Sequence, residues 1–141
     1  MPRMSAIEPG VRTLWSERAL AAATHLSFPI AIIWAAVNGR LLPPPFLLVP
    51  LVCACWISWS SRRAQPFVRR HARESINLQV SVLLAVITFA FLLRATPLTA
   101  TGSIAVFGAY VITAFVQACV AAWNAGIGRG YRLPFALRLL R

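Results

Sequence analysis

Lysine and aspartate are absent from this 141-residue sequence, and only Glu8, Glu17 and Glu74 carry a carboxylate. General acid–base chemistry therefore has few candidates beyond His25 and His71, which lie far apart in the chain. Cysteine is scarce as well. Cys53, Cys55 and Cys119 are odd in number and all sit in apolar stretches, which argues against a disulfide framework. A C-x-C pair on a helix turns its thiols roughly 200° apart, a poor chelate. These residues are expected to be small apolar fillers of a helix interface. No haem-attachment motif and no catalytic constellation is present, so no cofactor, no metal centre and no enzymatic activity are expected.

What is abundant is apolar surface. Hydrophobic residues make up 59% of the chain and charged residues 12%, whereas soluble domains are about half apolar and a quarter charged. The chain is predicted to be an all-α integral membrane protein, a single membrane domain over residues 1–141. Four stretches approach the roughly 20 residues that a hydrocarbon core requires: Ala19 to Val37, Leu41 to Trp59, Ile76 to Leu93 and Ile104 to Trp123. The first exceeds the roughly 7–15 apolar residues of a signal-peptide core and reads as a retained anchor. The second opens with Pro43, Pro44 and Pro45, expected at its entry and first turn, where a missing N–H costs nothing. Pro29 and Pro50 should kink the first and second helices.

The charge of +11 rests on fourteen arginines. They alternate with apolar spans rather than covering a polar domain, so membrane topology accounts for them and no nucleic acid partner is expected. Arg3, Arg12 and Arg18 precede the first span; Arg62, Arg63, Arg69, Arg70 and Arg73 separate the second from the third; Arg129, Arg132, Arg138 and Arg141 follow the fourth. The other side keeps Arg40 and Arg94. This twelve-to-two split places both termini and the basic loop, residues 60–75, in the cytoplasm. Trp15, Trp59 and Trp123 mark three inner boundaries and Trp34 an outer one. Glycines Gly126, Gly128 and Gly130 open the tail, residues 126–141, as a flexible exit. From Leu133 onward leucines alternate with arginines, the pattern of a short interfacial helix.

The segment "FVRRHARESINLQV", Phe67 to Val80, passes from charge into oil. On a helix Arg70, Arg73 and Asn77 share one side, and Glu74 lies one turn from Arg70, able to pair with it. His71, Glu74, Ser75 and Leu78 form an adjoining stripe. Two readings stand side by side: a solvated helix start whose arginines hold anionic lipid headgroups, or a docking surface or gate built from Arg70, His71, Arg73, Glu74, Asn77 and Gln79. Deeper polar groups, His25 on the first helix, Gln117 on the fourth and Asn124 near its boundary, must turn away from lipid and are expected to converge with Asn77 and Gln79 in the cytoplasmic half.

"PFVRRHARESINLQV", the first-span histidine in "AATHLSF" and the closing "GYRLPFALRLLR" together resemble a family of small bacterial membrane proteins of unknown function. That family is related to the twenty-kilodalton subunit of the chloroplast inner-envelope protein translocon. Its shared features fall here on the Asn77 and Gln79 pair and on the closing Tyr131, Arg132 and Pro134 element. Ser75, Ile76, Leu78 and Leu133 stand where the family commonly has other residues. The resemblance implies a four-helix membrane bundle and no established reaction. Two function classes follow. One is a non-enzymatic accessory or assembly subunit of the bacterial inner membrane, packing against partner membrane proteins or itself. The other is a component of a protein-translocation or small-solute transport pathway.

The charge split makes topology directly measurable. A membrane-impermeant thiol reagent added outside should label a cysteine placed at Arg40 or Thr99 but not one at Arg69. Labelling at Arg69 would reverse the orientation.

Overall fold

The computed structural model describes residues 14–38, 44–60, 66–95 and 100–134. Among the described residues there are four α-helices and no strand: α1 (Trp15–Val37), α2 (Pro44–Ser60), α3 (Pro66–Ala95) and α4 (Ala100–Gly126). Each expected span has its helix, but only α1, α3 and α4 contain segments long and apolar enough to cross a membrane. The 17 residues of α2 reach about 25 Å, short of a hydrocarbon core of roughly 30 Å. Pro44 and Pro45 occupy its first turn, as expected.

Two helix starts lie well ahead of the sequence reading. Helix α1 starts at Trp15, where Glu17 turns back to accept the Leu14 N–H at 3.3 Å, half of a capping box. Helix α3 starts at Pro66, so most of the expected 60–75 loop is helix. Its 30 residues measure about 45 Å, well beyond the hydrocarbon thickness. Apolar composition marks where lipid begins, whereas α3 continues into a layer built by the protein itself.

The end of α4 is likewise more structured than expected. The Gly128 N–H donates to the Ala125 carbonyl at 3.0 Å and the Arg129 N–H to the Asn124 carbonyl at 2.8 Å, with Gly128 at φ 78°. That is a Schellman cap with glycine at its left-handed position. The cap reverses the chain, so residues 127–134 are a packed strap and not a flexible exit. Leu133 is 1% exposed within the core, beside Phe28, Leu78 and Val82. The tail therefore enters the bundle at Leu133 instead of lying in the interface from that point. The remainder of the expected interfacial helix lies outside the described residues.

Helices α1 and α3 run parallel in the centre, with α2 and α4 on opposite sides, each touching both and not each other. Alanine sets the closest approach. Ala114, Ala118, Ala121 and Ala125 form one buried stripe along α4, and Ala21 on α1 packs with Ala125 and Val68. Small side chains let backbones pack closely where lipid supplies no hydrophobic drive between helices. At the opposite end α3 and α4 leave an apolar groove of about 650 Å³, with Phe89 and Phe107 stacked at 4.4 Å along its wall. The cysteines do not fill an interface as expected: Cys53 and Cys55 are exposed on α2, and Cys119 is half-buried. The bundle-facing side of α2 is taken by Pro50 and Ala54, four residues apart.

The cap yields a direct test. Gly128→Ala forces an alanine into a left-handed conformation and should destabilise by about 1 kcal/mol. Gly108→Ala, where a Cβ meets open space within α4, should cause no loss. Unfolding in mixed micelles compares the two.

Candidate functional site

The most polar part of the buried interior lies where α1 and α3 cross. On α1 the run Thr24, His25 and Ser27 interrupts an apolar sequence; on α3 His71, Ser75 and Gln79 recur at helical spacing. The His25 and His71 side chains are each 1% exposed. His25 Nε2 meets His71 Nδ1 at 3.1 Å, with the rings edge to face at 87°. At this contact one ring nitrogen must carry the proton and the other accept it. Phe67 packs on the His71 ring at 4.6 Å and covers its outer side.

Hydroxyls and an amide extend the seam. The Ser75 hydroxyl donates to the Thr24 carbonyl at 2.6 Å, and the Ser27 hydroxyl donates to the same oxygen at 2.9 Å. Gln79 donates through Nε2 to Ser75 Oγ at 2.9 Å and, more weakly, to Ser27 Oγ at 3.4 Å. Thr24 closes on its own helix through the Ala21 carbonyl at 2.7 Å. Pro29 adds a further demand, because it has no N–H for the carbonyl of His25 four residues before it. Three buried side-chain atoms find no hydrogen-bond partner among the described residues, His25 Nδ1, Gln79 Oε1 and Gln117 Oε1, while His71 Nε2 faces the Arg129 backbone of the strap. Most buried polar atoms are paired, and two of these three, on His25 and Gln79, lie in the seam between α1 and α3.

The strap forms its roof. The Glu74 carboxylate, expected beside Arg70, accepts the Leu133 N–H at 3.3 Å and so ties α3 to the tail. The Arg70 guanidinium lies over Gly130: a Cβ built there would stand 3.6 Å from Cζ and Nη1 and 3.9 Å from Nη2. Tyr131 is half-buried against the core, while Arg132 and Pro134 are exposed.

Several sequence expectations change as a result. His71 is not part of a solvated helix start: it is buried, with His25 of α1, Phe67 and the Arg129 backbone of the strap against it. Ala72 and Ser75 beside it are buried too. His25 and Gln117 both turn inward, as do Asn77 and Gln79, yet the partner of His25 is His71. Asn124 does not join the seam: its amide donates to the Val120 carbonyl one turn back at 2.8 Å. Arg70 is exposed and Arg73 half-buried. The histidine pairing went unread because 46 positions separate the two residues. Its available signal was the shared polar periodicity, Thr24-His25-Ser27 against His71-Ser75-Gln79. Among the described residues no three His, Cys, Asp or Glu side chains are grouped.

Residues 16–140 match the model of the magnetosome magnetite crystal formation protein family, MamF/MmsF. The chain belongs to that family. No curated protein and no solved structure matches it. The match agrees with the expectation of a small bacterial membrane family, and its description names a process, crystal formation, where a family of unknown function was expected. No resemblance to the plastid translocon subunit emerges from it. The match embraces the histidine pair, the seam and the strap.

A double-mutant cycle on His25→Ala and His71→Ala tests the seam. Each single change should destabilise the bundle, and the double should cost less than their sum. Interhelical polar contacts in membranes couple by about 0.6 kcal/mol on average and up to about 1.7. Asn124→Ala, by contrast, should stay within about 0.5 kcal/mol.

Proposed function

We propose that this protein is a non-enzymatic, multi-pass membrane component that contributes to magnetite crystal formation from within the bilayer. Its role is to hold partner membrane proteins, or further copies of itself, in place. The observation that carries this reading is the poverty of carboxylates. Iron ions and iron oxide surfaces are recognised by hard oxygen donors. The whole chain has three glutamates and no aspartate against fourteen arginines. The two glutamates in the described residues are engaged with backbone amides, Glu17 with Leu14 and Glu74 with Leu133. A chain of this composition is poorly equipped to face a mineral and well equipped to sit in a membrane.

The faces available to partners are apolar. Val49, Val52 and Trp56 are exposed on α2, and Ile112, Val116 and Val120 on α4. Within the seam polar groups point inward, so these outer faces meet lipid or another transmembrane helix. The orientation with both termini cytoplasmic, and residence in the inner membrane or a compartment derived from it, belong to this proposal and rest on the arginine split.

Extraction of native membranes in mild detergent provides the test. The protein should migrate in an assembly heavier than its 15.5 kDa monomer, with other membrane proteins or additional copies present. A lone monomer without companions would contradict the reading.

A further inference from the structure

We propose that the strap and the start of α3 form a discrete site for the phosphate of an anionic phospholipid headgroup, beyond the diffuse attraction of a basic surface. The Schellman cap at Gly128 turns the chain so that Gly130, which follows Arg129 and precedes Arg132 by two residues, lies against the Arg70 guanidinium of α3. Arg70, Arg129 and Arg132 are all exposed. Two elements far apart in sequence thus present guanidinium groups at one corner of the bundle.

Gly130 shapes this corner. Three atoms of the Arg70 guanidinium lie almost equally far, 3.6 to 3.9 Å, from the point where a Cβ would stand. The group therefore presents its flat face to Gly130. With no side chain at position 130, the guanidinium rests face-on against this backbone while its in-plane N–H edges remain on an exposed residue. A planar guanidinium offers paired N–H donors that match phosphate oxygens.

The neighbouring Glu74 keeps its charge but commits Oε2 to the Leu133 N–H, so Arg70, Arg129 and Arg132 against this one acid leave a formal excess of two positive charges. Depth also fits. The corner lies at the end of α4, beside Trp123, which is exposed, and Tyr131, which is half-buried. Aromatic rings of this kind settle at the headgroup level of a bilayer. Basic pockets at helix ends on this side of a membrane are suited to phosphorylated headgroups. Arginines from two elements favour a headgroup carrying two phosphates over one carrying a single phosphate.

The test uses the full chain reconstituted in phosphatidylcholine vesicles with a minor fraction of cardiolipin or phosphatidylglycerol, then native mass spectrometry of retained lipid. The wild type should keep an anionic lipid, cardiolipin most firmly. Affinity should fall about fivefold for each arginine removed in R70Q/R132Q. The double variant R62Q/R63Q, with the same loss of charge, should retain the lipid. G130L keeps every charge, crowds the Arg70 face and should weaken retention, which tests the site even if R70Q/R132Q does not fold. Equal losses in the two double variants would overturn the proposal in favour of diffuse charge. Retention of phosphatidylcholine as firm as that of anionic lipid would also overturn it. Release of the lipid by millimolar inorganic phosphate would identify a soluble phosphate site instead. None of these outcomes depends on whether the protein assembles with partners.

Discussion

The hydrogen bond between His25 and His71 determines how α1 and α3 must lie. Hydrocarbon offers no partner to an imidazole, and each unpaired polar group within it costs several kcal/mol. The bond closes at 3.1 Å only when α1 and α3 touch at this level, and Ser75 on Thr24 and Gln79 on Ser27 carry the contact further along the pair. Parallel central helices then leave α2 and α4 to pack on either side, as connections that reverse the chain demand. Around this bond the seam is completed by Ser75 and Ser27 on the Thr24 carbonyl, groups that a straight apolar helix would not need. The alanine stripe of α4 permits the close approach that keeps the seam shut.

Charge acts at the periphery of the same design. The cap at Gly128 sends the strap across the basic end of the bundle, and Leu133 anchors it in the core. Glu74 fixes the strap by its backbone, not by an ion pair, which leaves the Arg70 side chain lying on Gly130. Polar order is thus concentrated at one end, where arginines, histidines and amides occur. The other end, between α3 and α4, is an apolar groove.

Much of the architecture was legible in the sequence because lipid imposes simple rules on composition. The helices around His25, Pro50, Leu84 and Ala114 were identified from apolar length, and the proline entry to α2 from the lost N–H of Pro44 and Pro45. Buried Asn77, Gln79 and Gln117 followed from the cost of polar groups in oil. Less legible was whatever depended on protein burying protein. His71 sits among arginines and reads as solvated, because nothing local shows that Phe67 and a strap beginning 56 positions later, at Ile127, will cover it. Asn124 looked equivalent to Gln117, yet a helix-end amide can satisfy itself on the turn behind it, and this one does. Small size suits Cys53 and Cys55 to an interface, but residues two apart on a helix cannot both face one neighbour, and both are exposed.

The chain contains two histidines, so solid-state NMR of histidine-labelled protein in bilayers observes this contact without ambiguity. The account predicts a through-space correlation between the two imidazole rings, with one ring nitrogen at the contact protonated and its neighbour bare. Two uncorrelated rings, each exchanging freely with water, would contradict it.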